Sequence, residues 1–155
     1  NDTKVYWKID PEQKVFTNLV AIEQIITNFA YNGIEAMADA KTENRELTIS
    51  SKLAKNKNEQ EIVQLIVGDN GPGISISEIN NIFEPFFTTK EYGNGLGLSL
   101  CKSLCEQCSA TMTIDNNSSQ GMNFIVSIPT RKTFIKNLEI EYFDTDRLVS
   151  IKDVV

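Results

Sequence analysis

An α/β sandwich, in which a mixed, mostly antiparallel sheet carries three helices on one face, is the fold class this sequence predicts. Three observations lead there. Two long stretches, Asn18–Ala40 and Leu96–Gln107, repeat apolar residues at helical spacing, and Ser77–Phe83 adds a short helix between them. Strand-like stretches precede, separate and follow the long helices. Two pairs of those strands are joined by polar, turn-rich loops, KNKNEQ and NNSSQG, as hairpins require.

In chain order, Val5, Trp7 and Ile9 alternate with Tyr6 and Lys8, which predicts an opening strand with one buried face, ended by Pro11. Asn18 is a good N-cap for the first long helix. Along it Ile22, Ile25, Ile26, Phe29, Gly33, Ile34 and Met37 form one apolar stripe. Asn28 and Asn32, one turn apart, sit at the margin of that stripe and can point side by side into a cleft. Leu47, Ile49, Ser51 and Leu53 alternate as a strand, and Ile62–Val67 is apolar enough for a central one. Ser77 is expected to cap the short helix, and 84–94 is irregular, with exposed Phe86 and Phe87. In the second long helix Leu100, Cys101, Leu104 and Cys108 are expected to face inward. Thr111–Asp115 and Met122–Pro129 close the sheet, with Met122, Phe124, Val126 and Ile128 on one face. The tail from Arg131 alternates mildly at Leu138, Ile140 and Tyr142, which suggests one added strand. Residues 1–130 are expected to form the working domain and 131–155 an extension without assignable chemistry.

The chain has 155 residues, a length that fits one domain with a proper core, and 41% of them are hydrophobic. Its net charge of −6, without a long basic cluster, argues against nucleic acid or an anionic membrane as partner. No apolar stretch reaches the ~20 residues of a membrane span, and no signal peptide is visible. Histidine is absent, which removes histidine acid–base catalysis, Ser–His triads and most zinc hydrolase sites. Cys101, Cys105 and Cys108 share one helical face, as small core residues or, less economically, as part of a metal site that neither a fourth thiol nor a histidine completes. Free thiols suit a reducing cytosol.

Three stretches carry candidate chemistry. Asp69 ends the central strand and runs into DNGPGI, where Gly71 and Gly73 let a flat ligand approach the backbone. The carboxylate can accept from an exocyclic amine, or the stretch can be a plain Asp-Asn-Gly turn. GNGLGL at Gly93–Leu98 opens a helix, as a phosphate site or simply a helix entry. Asn28 and Asn32 offer neutral oxygens that suit magnesium carried by a triphosphate, or are merely solvated. Glu35 can hold a metal-bound water or be a surface carboxylate. Lys90, between the phenylalanines and the glycine turn, can neutralise a γ-phosphate.

Together these stretches resemble a known family. QIITNFAYNGIEAM matches its N box, DNGPGI its first glycine box, IFEPFFTTK its phenylalanine box and GNGLGLSL its second glycine box, all in the family's order over roughly residues 3–130. The chain thus resembles the histidine-kinase catalytic domain, in the superfamily of gyrase, the ninety-kilodalton heat-shock chaperones and MutL. The resemblance implies a Bergerat-type ATP-binding fold and the cofactors ATP and Mg²⁺. It implies that Asn28 and Asn32 contact the metal and phosphates and that Asp69, Gly71, Gly73 and Ile74 hold adenine. It implies further that Phe86 and Phe87 order a lid, that Lys90 reaches phosphate, that Gly93, Gly95, Leu96 and Gly97 line the phosphate side, and that Phe87, Thr88, Thr89, Asn94 and Leu98 also bind the nucleotide.

Some residues depart from the family pattern. Gly33 replaces the usual alanine after the second asparagine, at about 1 kcal/mol in a helix interior. Glu35 and Ala36 stand near positions where many members carry a basic residue and an aromatic. The lid, 88–94, is seven residues long. Hydrolytic relatives place a glutamate where Asn28 stands, so phosphoryl transfer is expected rather than hydrolysis. The implied acceptor is a histidine on a separate dimeric helical domain, with a response regulator downstream, a cytoplasmic location and a monomeric isolated domain. An anti-sigma-type serine kinase and a nucleotide-independent binding module of the same fold are the alternatives.

Overall fold

The computed structural model describes residues 2–90, 93–116, 121–138 and 148–154. Five strands form the main sheet, in the order β1 (Lys4–Lys8), β3 (Glu46–Lys55), β4 (Glu61–Asp69), β6 (Met122–Pro129) and β5 (Thr111–Asp115). Among the described strands only β1 and β3 run parallel, and α1 (Leu19–Asp39) supplies part of the crossover that a parallel pair needs. The other pairs are antiparallel. The mixed, mostly antiparallel sheet of the α/β sandwich is therefore present.

α1 begins where the sequence places it, because the Asn18 side chain accepts from the Ala21 amide at 3.3 Å. The inward residues of α1 and of α3 (Gly97–Gln107) meet one face of β3, β4 and β6. Alternation in β6 is regular, with Met122, Phe124, Val126 and Ile128 all buried. Phe29 of α1 stacks on Phe124 with ring centroids 4.5 Å apart, tying the first helix to the sheet centre. Cys101, Cys105 and Cys108 lie in this core. Burial, with Cys105 beside it, pushes the Cys101 thiol up to about 12, and burial does the same for Cys105. Such thiols stay neutral and act as apolar filler.

Several expectations need correction. β1 has no buried face: all five residues are exposed, Trp7 at 56%, because β1 is the sheet edge and the core draws on none of its residues. The short helix α2 is Ile76–Ile79, capped by Ser75 rather than Ser77, since Ser75 and Glu78 form the reciprocal S-x-x-E capping box. The second long helix starts at Gly97, with Leu96 as its N-cap residue, and Leu100 points outward while Cys105 takes the inward place. Leu138 ends a helix, α4 (Arg131–Leu138), instead of lying on a strand, and Ile140 and Tyr142 fall outside the described residues.

A second, two-stranded sheet pairs β2 (Lys14–Phe16) with β7 (Leu148–Ser150). The 3-10 turn Ile151–Val154 then sends Ile151 into the core. α4 packs through Phe134 on Phe16, and its Thr133 hydroxyl donates to the Glu61 carbonyl at 2.6 Å. No described helix is long and apolar enough to cross a membrane.

Candidate functional site

One cleft of about 1040 Å³ opens between α1, the end of β4, the segment before α3 and α3 itself. It brings together Asn28, Asn32, Asp69, Gly73, Ile74 and residues of both the lid and the glycine turn. Gly71 and Leu96 do not line it.

Asp69 is held on three sides. It ends the central strand, opposite Leu47 of β3 and Met122 of β6. The Gly71 amide donates to Asp69 Oδ1 at 2.8 Å, so Gly71 shapes the carboxylate rather than the wall. Next door Asn70 staples the turn to β3: its Oδ1 accepts from the Glu46 amide at 2.8 Å and its Nδ2 donates to the Asn44 carbonyl at 3.0 Å. Burial raises the Asp69 carboxyl above its ordinary 3.8, against the lowering effect of bonds from the Gly71 and Met122 amides. A Cβ on Gly33 would come within 3.1 Å of Asp69 Cβ and Oδ2, so the glycine leaves that carboxylate clear.

Gly73, with φ +71°, makes a turn that L residues resist. Asn116, after β5, clamps the next residue: its Oδ1 accepts from the Ile74 amide at 3.3 Å and its Nδ2 donates to the Ile74 carbonyl. Asn116 was not legible as a site residue, since its partner lies 42 residues upstream. The cleft also takes in Ile82, which follows α2, and Met122 and Phe124, which periodicity assigns only to the shared face of their strand.

On the opposite side the amide of Asn28 is oriented by its own helix, with Nδ2 donating to the Gln24 carbonyl at 3.1 Å. Oδ1 is thereby turned to the start of α3, where a Cβ on Gly97 would lie 3.2 Å from it. α3 has no side-chain cap, so its first-turn amides and positive end are available to an anion at the cleft.

Between these walls runs the lid. Phe87 is partly buried against the core, whereas Phe86 is exposed with a left-handed φ of +67°. The Phe86 amide donates to the Gly95 carbonyl at 2.9 Å, and Gly95 itself has φ +66°. The Thr88 hydroxyl accepts from the Lys90 amide, and the Gly93 amide donates to the Lys90 carbonyl. Thr89 and Asn94 also face the cleft, and the Asn94 Oδ1 accepts from the Leu96 amide. Leu98 reaches both cleft and core. Lid residues Glu91 and Tyr92 are outside the described residues. Lys90 Nζ donates to Asn32 Oδ1 at 3.0 Å and pairs with Glu35 Oε2 at 2.5 Å, so Glu35 is neither a lone surface charge nor free for water alone.

A carboxylate, two side-chain amides and an uncapped helix start line one cleft, and the chain belongs to the family of histidine kinase-, DNA gyrase B- and HSP90-like ATPases, whose model matches residues 17–132. Within it the chain is an ATP-binding catalytic domain of the histidine-kinase type. The catalytic domain of histidine kinase ThkA superposes with a TM-score of 0.67 at 31% identity, over 83% of this chain and 79% of that one. Sensor protein TdiS of Thauera aromatica is 33% identical over 110 residues, 71% of this chain and 20% of TdiS. Sensor protein FixL of Bradyrhizobium diazoefficiens is 32% identical over 129 residues, 83% of this chain and 24% of FixL. The chain therefore spans about a quarter or less of these sensor proteins.

Proposed function

We propose that this domain binds Mg·ATP in the cleft and donates the γ-phosphoryl group to a histidine on a helical domain outside this chain. The observation that carries the proposal is the convergence of Asp69, the two asparagines and the start of α3 on one cleft. In this assignment Asp69, held by the Gly71 amide, accepts from the adenine amino group, with Gly73 and Ile74 shaping the base slot. The first-turn amides of α3 and the glycines at 93, 95 and 97 receive the phosphates. Phe86 and Phe87 anchor the lid, and Lys90 meets the γ-phosphate.

The donor set fits a magnesium ion. Asn28 keeps its Oδ1 on the cleft side, and Asn32 presents its Oδ1 to a cation already, the Lys90 ammonium. Two neutral oxygens suit a hard cation that takes few protein ligands. Bound there, the metal would neutralise phosphate charge. In the transfer itself the bond between the γ-phosphorus and its bridging oxygen breaks, ADP leaves, and a bond to an imidazole nitrogen forms. Asn28 is amide, not carboxylate, so no group at that position deprotonates water, and transfer is favoured over hydrolysis.

The acceptor domain and a response regulator are the proposed partners, and the cytoplasm, suited to three free thiols, the proposed location. Residues 1–130 are taken as the ATP-binding unit and 131–155 as an extension. The test is transfer in trans: with labelled γ-phosphate, this chain should label a purified dimeric helical domain bearing one histidine, as acid-labile, base-stable phosphate. Labelling on serine instead would favour an anti-sigma-type kinase, and label on neither residue would reject the transfer.

A further inference from the structure

We infer that Glu35 is a positioning residue for ATP: it fixes the lid lysine so that Lys90 keeps one N–H directed to the γ-phosphate. This rests on the proposed role of Lys90. The two residues are 55 positions apart, one on α1 and one on the lid, and their ion pair is the described side-chain bridge from the lid to the helix besides the bond to Asn32. An ammonium has three N–H donors and no acceptor. Here one goes to Glu35 Oε2 and a second to Asn32 Oδ1; with Asn32 Oδ1 given over to magnesium, the Glu35 bond still holds the ammonium and leaves an N–H for the phosphate.

The lid needs such a brace. Its described residues hold local bonds of their own, the Lys90 amide to the Thr88 hydroxyl and the Gly93 amide to the Lys90 carbonyl, which shape the turn but do not tie it to α1. Lysine is flexible, and ordering it only when the nucleotide arrives would weaken binding by about two- to tenfold. Glu35 sets that order beforehand. The Glu35 side chain is 55% exposed and that of Lys90 32%, so solvent screens the pair and its own contribution to stability is small. Its value lies in where it leaves the ammonium. A γ-phosphate meets a cation already in place, whereas a diphosphate ends one phosphoryl short of it.

Calorimetric titration of the full chain with Mg·ATP and Mg·ADP, across a double-mutant cycle, tests the inference. Glu35→Ala is expected to weaken ATP about three- to tenfold while ADP affinity stays at the wild-type level. Glu35→Gln keeps an oxygen acceptor at the same reach and is expected to recover most of the loss. In a Lys90→Ala background, Glu35→Ala should change ATP affinity no further. Tighter ATP binding by Glu35→Ala would overturn the inference, since the carboxylate would then act as a competitor for Lys90. So would an equal loss for ADP, or a full loss without Lys90. Failure of the wild-type chain to bind ATP would overturn the nucleotide reading itself, and the inference with it.

Discussion

Asp69→Asn is expected to weaken ATP about 10- to 100-fold and to erase discrimination against GTP. A hydrogen bond to a charged, partly desolvated acceptor is worth about 1.5–3 kcal/mol, and each 1.4 kcal/mol is tenfold in affinity. The carboxylate can only accept, which suits the adenine amino group and repels the guanine carbonyl. An asparagine Oδ1 can still receive the Gly71 amide, so the turn should stand and the loss should be specific to nucleotide. The same residue predicts a pH profile. Burial raises the Asp69 carboxyl in the fold above 3.8, so the proton is held to a higher pH than in the unfolded chain. Its contribution to stability is therefore present in full below 3.8 and is lost as pH rises through the raised value. ATP affinity runs the other way, because the ionised form is the acceptor: it should fall on acidification from above the ordinary aspartate range. Fluorescent-nucleotide competition against pH checks both, and Asp69→Asn should flatten the profile. Wild-type affinity in that variant would reject Asp69 as the base reader.

Gly95→Ala should cost ATP binding about tenfold or more without unfolding the domain. A Cβ there would lie 2.4 Å from the Phe86 carbonyl carbon and 2.7 Å from the Phe87 carbonyl oxygen, and φ is +66°. The left-handed conformation alone costs about 1–2 kcal/mol for an L residue, and the overlap is with backbone, which cannot rotate away. The Phe86–Gly95 bond that anchors the lid must break, while the core under α1 and α3 is untouched. Gly93→Ala makes the contrast, because its new Cβ meets side chains rather than backbone, the Thr88 hydroxyl, which can turn aside, and Lys90 Cβ at 3.1 Å. Circular-dichroism melting beside ATP titration separates the two outcomes; equal effects from both variants would contradict this account of the lid.

The parts of the molecule that read most clearly were those with a long period. α1, β3, β4, β5 and β6 repeat apolar residues over enough turns or pleats to fix their type, and the four motifs place the cleft between them. Three-residue strands carry no period, so β2 and β7 were invisible. Alternation in β1 identifies a strand but not whether anything covers it, hence exposed Val5 and Trp7. The cap of α2 was legible after all, since Ser75 and Glu78 have capping-box spacing, but Ser77 stood nearby as a competing signal. At the site, glycine and asparagine types declared themselves, whereas Asn116 on Ile74 and Glu35 on Lys90 join residues 42 and 55 positions apart and exist only once the chain has folded.

The central claim is that this cleft is an ATP site, and calorimetric titration of the 155-residue chain with Mg·ATP tests it most directly. The account predicts saturable one-to-one binding that chelation of magnesium weakens. Absence of saturable heat at millimolar ATP would contradict it.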